Sequence, residues 1–257
     1  MMTDSAAELV ATALDYPFPR PGHSFLFADG EVLALADCGV DALDAVLAER
    51  NAAPLAERTA VLAYGANAAP IRLERKFASQ APGAVFPVIE ARLRGFDIVY
   101  AGHFSSYAAL PATPAPSPGT TVSIAVTYLD GDQLARMHET ELLRQSYVFG
   151  RLDGLALELD GVGALESVHS YWTRHGAFVT GGSPLALAAI AAEGRRFPAA
   201  EQYEAQSLAR DHLAPGRDLR DFVAETVSEL AVCQERSRAL SDGARPFDHP
   251  HLEVLVT

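Results

Sequence analysis

The residues with the clearest chemical potential lie in the short segment Tyr64-Gly65-Ala66-Asn67. It ends a β-like run, Thr59 to Tyr64. Pro70 then opens a helical pattern, Ile71 to Phe77, in the first-turn position that proline tolerates. Strand, tight loop and helix in this order leave backbone N–H groups facing outward just ahead of the helix, which suits an anion or a carbonyl oxygen. A second polar cluster, Met137-His138-Glu139-Thr140-Glu141, falls on another predicted helix, with Tyr147 soon after it. His138-Glu139 has the first half of a zinc-protease helix, but residue 142 is Leu where the second His must stand, so that pattern fails. Glu139, two positions from Glu141, faces elsewhere and is expected on the surface. Taken by itself, Glu141 is a polar residue at a helix end. Asp248, His249 and His251 are metal-ligand types, but two neighbouring histidines on a tail are expected to be exposed. His103, His169 and His175 are scattered. There is no Gly-x-Ser-x-Gly elbow, no Gly-Lys-Ser/Thr phosphate loop and no Gly-x-Gly-x-x-Gly.

The elements that must position these residues follow from periodicity and turn residues. Residues 5–14 have helical spacing, with Leu9, Val10, Ala13 and Leu14 on one face. Ser24 to Phe27 and Glu31 to Ala36 flank Ala28-Asp29-Gly30, a hairpin signal. Val40 to Arg50 is helical again, and a soft boundary falls near residue 56. Val85 to Tyr100 is strand-like, as one strand or two. Residues 103–119, rich in Pro and Ser, are predicted as loop. Thr121 to Leu129 is a strand. Asp132 is the expected cap of a helix running to about Leu143, with Leu134, Met137, Glu141 and Leu142 near one face. Tyr147 to Leu152, Leu155 to Leu159 and Leu165 to Thr173 are predicted as three strands, with Asp153-Gly154 and Asp160-Gly161 as the turns between them. Three helices are expected after that, from Pro184 to about Arg195, Glu201 to Leu213 and Leu219 to Leu240. Phe247 to Thr257 is a tail. A mainly antiparallel sheet or small barrel, interrupted by one helix and followed by helices, is an α+β architecture.

Composition narrows the partners. The 257 residues carry 33 acidic and 20 basic side chains, a formal charge of −13. That field repels phosphate backbones and anionic lipid, so no nucleic acid and no membrane surface is expected as partner. Cys38 and Cys233 are too few and too far apart for a disulfide framework or a zinc motif, and are expected to be buried as small hydrophobes. The first 17 residues hold Asp4, Glu8 and Asp15 without Lys or Arg, which is not a signal peptide. No run of about 18 apolar residues is present to span a membrane. A cytoplasmic protein is expected.

The order of these pieces resembles the γ-glutamylcyclotransferase family. Tyr64-Gly65-Ala66-Asn67 resembles its Tyr-Gly-Ser-Asn loop, Ala91-Arg92-Leu93-Arg94-Gly95-Phe96 its Ala-Arg-Leu-x-Gly-Phe/Tyr segment, and the helix ending at Glu141 its Leu-Asp-x-x-Glu helix. Leu110 to Gly119, Ser170-Tyr171-Trp172 and Pro198 to Leu213 are similar to later stretches, so the resemblance covers roughly residues 58–213. It implies a small mixed β-barrel with flanking helices over residues 56–240. An N-terminal extension (1–55) and a C-terminal tail (241–257) lie outside it. The extension either packs on the barrel or covers the mouth of the site.

The resemblance also implies a reaction. The α-amine of a γ-glutamyl group attacks its own γ-carbonyl, 5-oxoproline forms and an amine leaves, with no metal and no cofactor. Glu141 matches the family's general acid/base. Tyr64, Gly65, Ala66 and Asn67 match the loop that holds the γ-glutamyl group through backbone N–H. Tyr147 matches the Tyr beside the Glu, which orients it or the substrate. Ala66 replaces the family Ser, Ala68 its Leu, His138 its Asp and Leu142 the usual Gly. The expected substrate is a γ-glutamyl amino acid, amine or peptide. Removal of a γ-glutamyl protecting group and a non-catalytic binding domain of the same fold are the alternative readings.

Overall fold

The computed structural model describes residues 6–35, 39–79, 83–142 and 145–257. Helix α1 (Ala6–Leu14) precedes a hairpin of β1 (Phe25–Ala28) and β2 (Glu31–Ala34), followed by α2 (Val40–Ala48). The turn at Ala28-Asp29-Gly30 is where the sequence put it. Ala36 and Cys38 lie outside the described residues. Next come β3 (Thr59–Ala63), α3 (Pro70–Phe77), β4 (Val85–Tyr100), β5 (Ala112–Leu129), α4 (Gly131–Glu141), β6 (Tyr147–Leu159) and β7 (Gly163–Thr173). Helices α5 (Gln202–Leu213), α6 (Leu219–Ser228) and α7 (Leu230–Asp242) complete an α+β fold.

Five strands close on themselves. β3 runs antiparallel to β5, β5 to β4, β4 to β6 and β6 to β7, while β7 returns parallel to β3. A small mixed barrel results, and pairing all round leaves these strands little free edge. β1 extends the sheet from the end of β4, with Phe25 opposite Val88. The N-terminal segment is therefore hydrogen-bonded to the barrel.

The barrel strands are buried on two faces. Leu62, Ile124, Val126, Ile89 and Leu93 fill one core, while Val61, Ala63, Ala125, Phe86 and Val88 join Leu73 and Phe77 of α3 and Met137 of α4 in another. Successive side chains point to opposite sides, so continuous apolar runs such as Val61-Leu62-Ala63 serve both cores.

Several expectations are corrected. Residues 112–119 are strand, not loop. Pro114, Pro116 and Pro118 fall on alternate residues, so the N–H groups they lack lie along one edge of β5, and the other edge pairs with Phe96 to Val99. β4 is one strand with a bulge at Gly95, whose φ is +81°. Asp153-Gly154 is likewise an irregularity inside the single strand β6, not a hairpin, whereas Asp160-Gly161 does turn β6 into β7. No helix forms from Pro184 to Arg195. Its apolar residues lie instead along barrel edges, with Ala186 opposite Val99 and Ala192 opposite Val122, since a short apolar run does not by itself distinguish the two states. The predicted Leu219–Leu240 helix is split at the extended residue Glu229 (φ −118°, ψ 103°). The tail contributes a strand, Leu252–Val256, beside β6. Cys233 is buried as expected. No helix among the described residues is long and apolar enough to cross a membrane.

Candidate active site

Helix α4 begins one residue earlier than its expected cap. Asp130, not Asp132, accepts the Gln133 N–H at 2.9 Å, and the Gln133 side chain accepts the Asp130 N–H at 3.1 Å. This closes a capping box. Gln133 is also tied to Arg58 and to the Val85 carbonyl, each at 3.1 Å, which fixes the first turn of the helix on the barrel. Gln133, Met137 and Glu141 then recur every fourth residue on one face. The first two are buried, and the third emerges over a cavity of about 500 Å³.

The opposite wall is the turn after β3. Tyr64 reaches across to donate its hydroxyl to the Tyr171 carbonyl, anchoring the loop to β7. Gly65 to Asn67 follow, and the N–H groups of Ala66 and Asn67 have no hydrogen-bond partner among the described residues. A Cβ on Gly65 would meet the Tyr16 hydroxyl and, at 3.2 Å, the Ala112 Cβ. The space around its Cα leaves no room for a side chain.

Between the two walls stands Lys76, the only lysine in the chain. Helical spacing puts it on the buried face of α3 with Leu73 and Phe77. Its ammonium is ion-paired with Glu141 and donates to the Asn67 Oδ1 at 2.5 Å. The side chains of Lys76 and Glu141 are 10% and 17% exposed. The carbonyl of Lys76, an orphan acceptor at the end of α3, takes a 2.6 Å hydrogen bond from Arg136 Nε of α4. One residue thus links loop, α3 and α4.

Tyr16, Tyr64, Tyr107, Tyr147 and Tyr171 complete much of the lining. Burial pushes all five phenols up, Tyr107 to about 12, and the nearby charge of Glu141 adds to the rise in each. They stay protonated at neutral pH and serve as donors, not bases. Burial and the neighbouring His175 push His103 down to about 3, so its imidazole is neutral and a poor base. Glu139, the other carboxylate of the lining, is exposed and held by Arg136 at 2.7 Å. This leaves Glu141 as the cavity's candidate proton acceptor among the described residues.

All six residues singled out from the sequence, Tyr64, Gly65, Ala66, Asn67, Glu141 and Tyr147, line this cavity. Tyr147 does not touch Glu141 through a hydrogen bond. Its hydroxyl donates to the Ala112 carbonyl at 2.9 Å, and the Ala112 N–H donates to Tyr16 at 2.7 Å. His138, standing where a family Asp was expected, meets the Tyr171 hydroxyl at 2.7 Å. Sequence reasoning missed Lys76, Arg72, Tyr16 and Tyr107. The rarity of lysine was the available signal for the first. Tyr16 and Tyr107 reach the cavity through tertiary packing that no local pattern announces. Among the described residues no cluster of His, Cys, Asp and Glu is arranged to hold a metal ion.

No family model and no curated protein matches the sequence. Solved structures similar to it include a gamma-glutamyl cyclotransferase, at 16% identity and TM-score 0.36, covering 76% of this chain and 92% of that one. An uncharacterized Homo sapiens protein, loc79017, is similar at 16% identity and TM-score 0.37, covering 75% and 91%. The Arabidopsis thaliana protein At5g39720.1 is similar at 16% identity and TM-score 0.34, covering 46% and 70%. Scores and identities of this size decide nothing about activity or substrate.

Proposed function

We propose that the cavity is the active site of a γ-glutamylcyclotransferase-type enzyme. The observation that carries this reading is that Glu141 and the Gly65–Asn67 loop, far apart in sequence, line one sheltered cavity. Its volume suits a small amide. Glu141 takes a proton from the substrate α-ammonium, and the freed amine attacks the γ-carbonyl carbon. A C–N bond forms, and the carbonyl oxygen gains negative charge. The unpartnered N–H groups of Ala66 and Asn67 are the available donors to that oxygen. The proton held by Glu141 then passes to the leaving nitrogen, the original C–N bond breaks, and the second proton of the attacking nitrogen passes to the departing amine, so that 5-oxoproline and an ammonium are released. Because the loop acts through its backbone, Ala66 keeps the group that matters without the hydroxyl of a Ser. Lys76 positions Glu141 and balances its charge in the wall.

That same pair favours a second reading. A carboxylate already engaged by an ammonium also suits a non-catalytic domain that binds a small molecule or a protein through this cavity. Incubation of the protein with γ-glutamyl amino acids, amines and peptides, followed by chromatographic detection of 5-oxoproline, separates the two. Release from at least one member is expected, and none from any removes the enzyme in favour of the binding domain.

A further inference from the structure

Arg72 is four residues before Lys76, one turn away along the same face of α3, and lines the same cavity. Lys76 is paired with Glu141 and Arg136 with Glu139, but the Arg72 side chain makes no hydrogen bond or ion pair among the described residues. Its guanidinium lies over the rings of Phe18 and Tyr107, at 5.1 and 4.5 Å from their centroids. Its Nε is buried without a partner. The rings hold the group in place but supply no acceptor for its N–H fork, and an unpartnered buried donor is costly. Tyr107 does not neutralise it, because burial keeps that phenol protonated, at about 12. Arg75, without a carboxylate partner among the described residues, stands at the exposed rim. The cavity thus has four cationic side chains and two carboxylates among its described lining residues, in a chain of net charge −13.

We propose that Arg72, held between Phe18 and Tyr107, is the docking point for a carboxylate of the ligand, accepted through the guanidinium fork. This rests on the γ-glutamyl reading and deepens it: the site takes anionic γ-glutamyl compounds and orients them by a charged end. A γ-glutamyl amino acid offers two such groups, the glutamyl α-carboxylate and that of the leaving amino acid. A planar fork with two parallel N–H groups matches either one.

Three probes that cannot cyclise, because they lack the α-amine, separate these sources. N-glutaryl-alanine carries both carboxylates, N-glutaryl-ethylamine only the first and N-butyryl-alanine only the second. Each is titrated calorimetrically into wild type, Arg72→Gln and Arg72→Lys, with melting curves confirming that the variants are folded. Arg72→Gln is expected to weaken N-glutaryl-alanine by at least about 10-fold. The single-carboxylate probe that is weakened alongside it names the carboxylate bound. Arg72→Lys, which keeps charge without the fork, is expected to fall between, and carries the comparison by itself should the Gln variant not fold. Affinities indifferent to both substitutions, or no binding of any probe by wild type, overturn the subsite. Release of 5-oxoproline from γ-glutamyl-alanine, read on the same preparations, reports separately on the cyclotransferase reading and survives loss of the subsite.

Discussion

Lys76 and Glu141 compensate each other inside a wall that excludes most water, so each is the other's principal electrostatic partner. Removing either leaves a charge with poor solvation, and removing both leaves none. Lys76→Met and Glu141→Gln are therefore expected to be non-additive in stability. A double-mutant cycle in urea is predicted to give a coupling energy of about 1 kcal/mol or more, and additive losses contradict the pair. The sequence made Glu141 legible only through a family resemblance, because a helix-end carboxylate is ordinary. The partner that gives it a place in the wall sits 65 residues away and was not legible from local pattern.

At the scale of elements, the site depends on how closely the turn after β3 approaches its neighbours and on how α4 is started. Gly65→Ala would press a methyl against the Tyr16 hydroxyl and Ala112. It is predicted to cost about 1–3 kcal/mol and to raise KM for γ-glutamyl substrates, and unchanged melting and KM would show that the cradle tolerates a side chain. Asp130→Ala removes the α4 cap and is expected to cost about 1 kcal/mol in chemical denaturation; no loss contradicts the capping role. Short, punctuated elements were readable: β3, α3 and α5 fall close to where their turn residues and caps put them. Longer ones were misread wherever punctuation sits inside a strand. Gly154 and the alternating prolines of β5 look like breaks in one dimension, but the barrel absorbs them as an irregularity and as an unpaired edge.

For the molecule as a whole, closing the barrel buries titratable groups that an unfolded chain leaves in water. His103 is the clearest case, held neutral by burial and by His175, against the Thr173 hydroxyl at 3.2 Å and the ring of Tyr147. Its folded pKa, about 3, lies below its ordinary value of 6.5, so between those values the unfolded chain binds the extra proton. Stability contributed by its burial is complete above about pH 6.5 and is lost as pH falls, at up to about 1.4 kcal/mol per pH unit. His138, His169 and His175 are shifted in the same direction. Urea unfolding at pH 7, 6 and 5 is predicted to show a shallower pH dependence for His103→Gln than for wild type, and parallel curves contradict it. The α+β class and the order of strands around the loop and helix were legible in the sequence. The contribution of the N-terminal segment to the cavity, through Tyr16, depends on the closed fold.

The proposed chemistry turns on one carboxylate, so the most direct measurement is kcat/KM for 5-oxoproline release in wild type and in Glu141→Gln, on the γ-glutamyl compound that wild type uses best. A fall of at least about 100-fold, in a variant whose circular dichroism shows it folded, is the predicted result. Equal rates in the two proteins contradict it, because the proton transfers would then belong to another group.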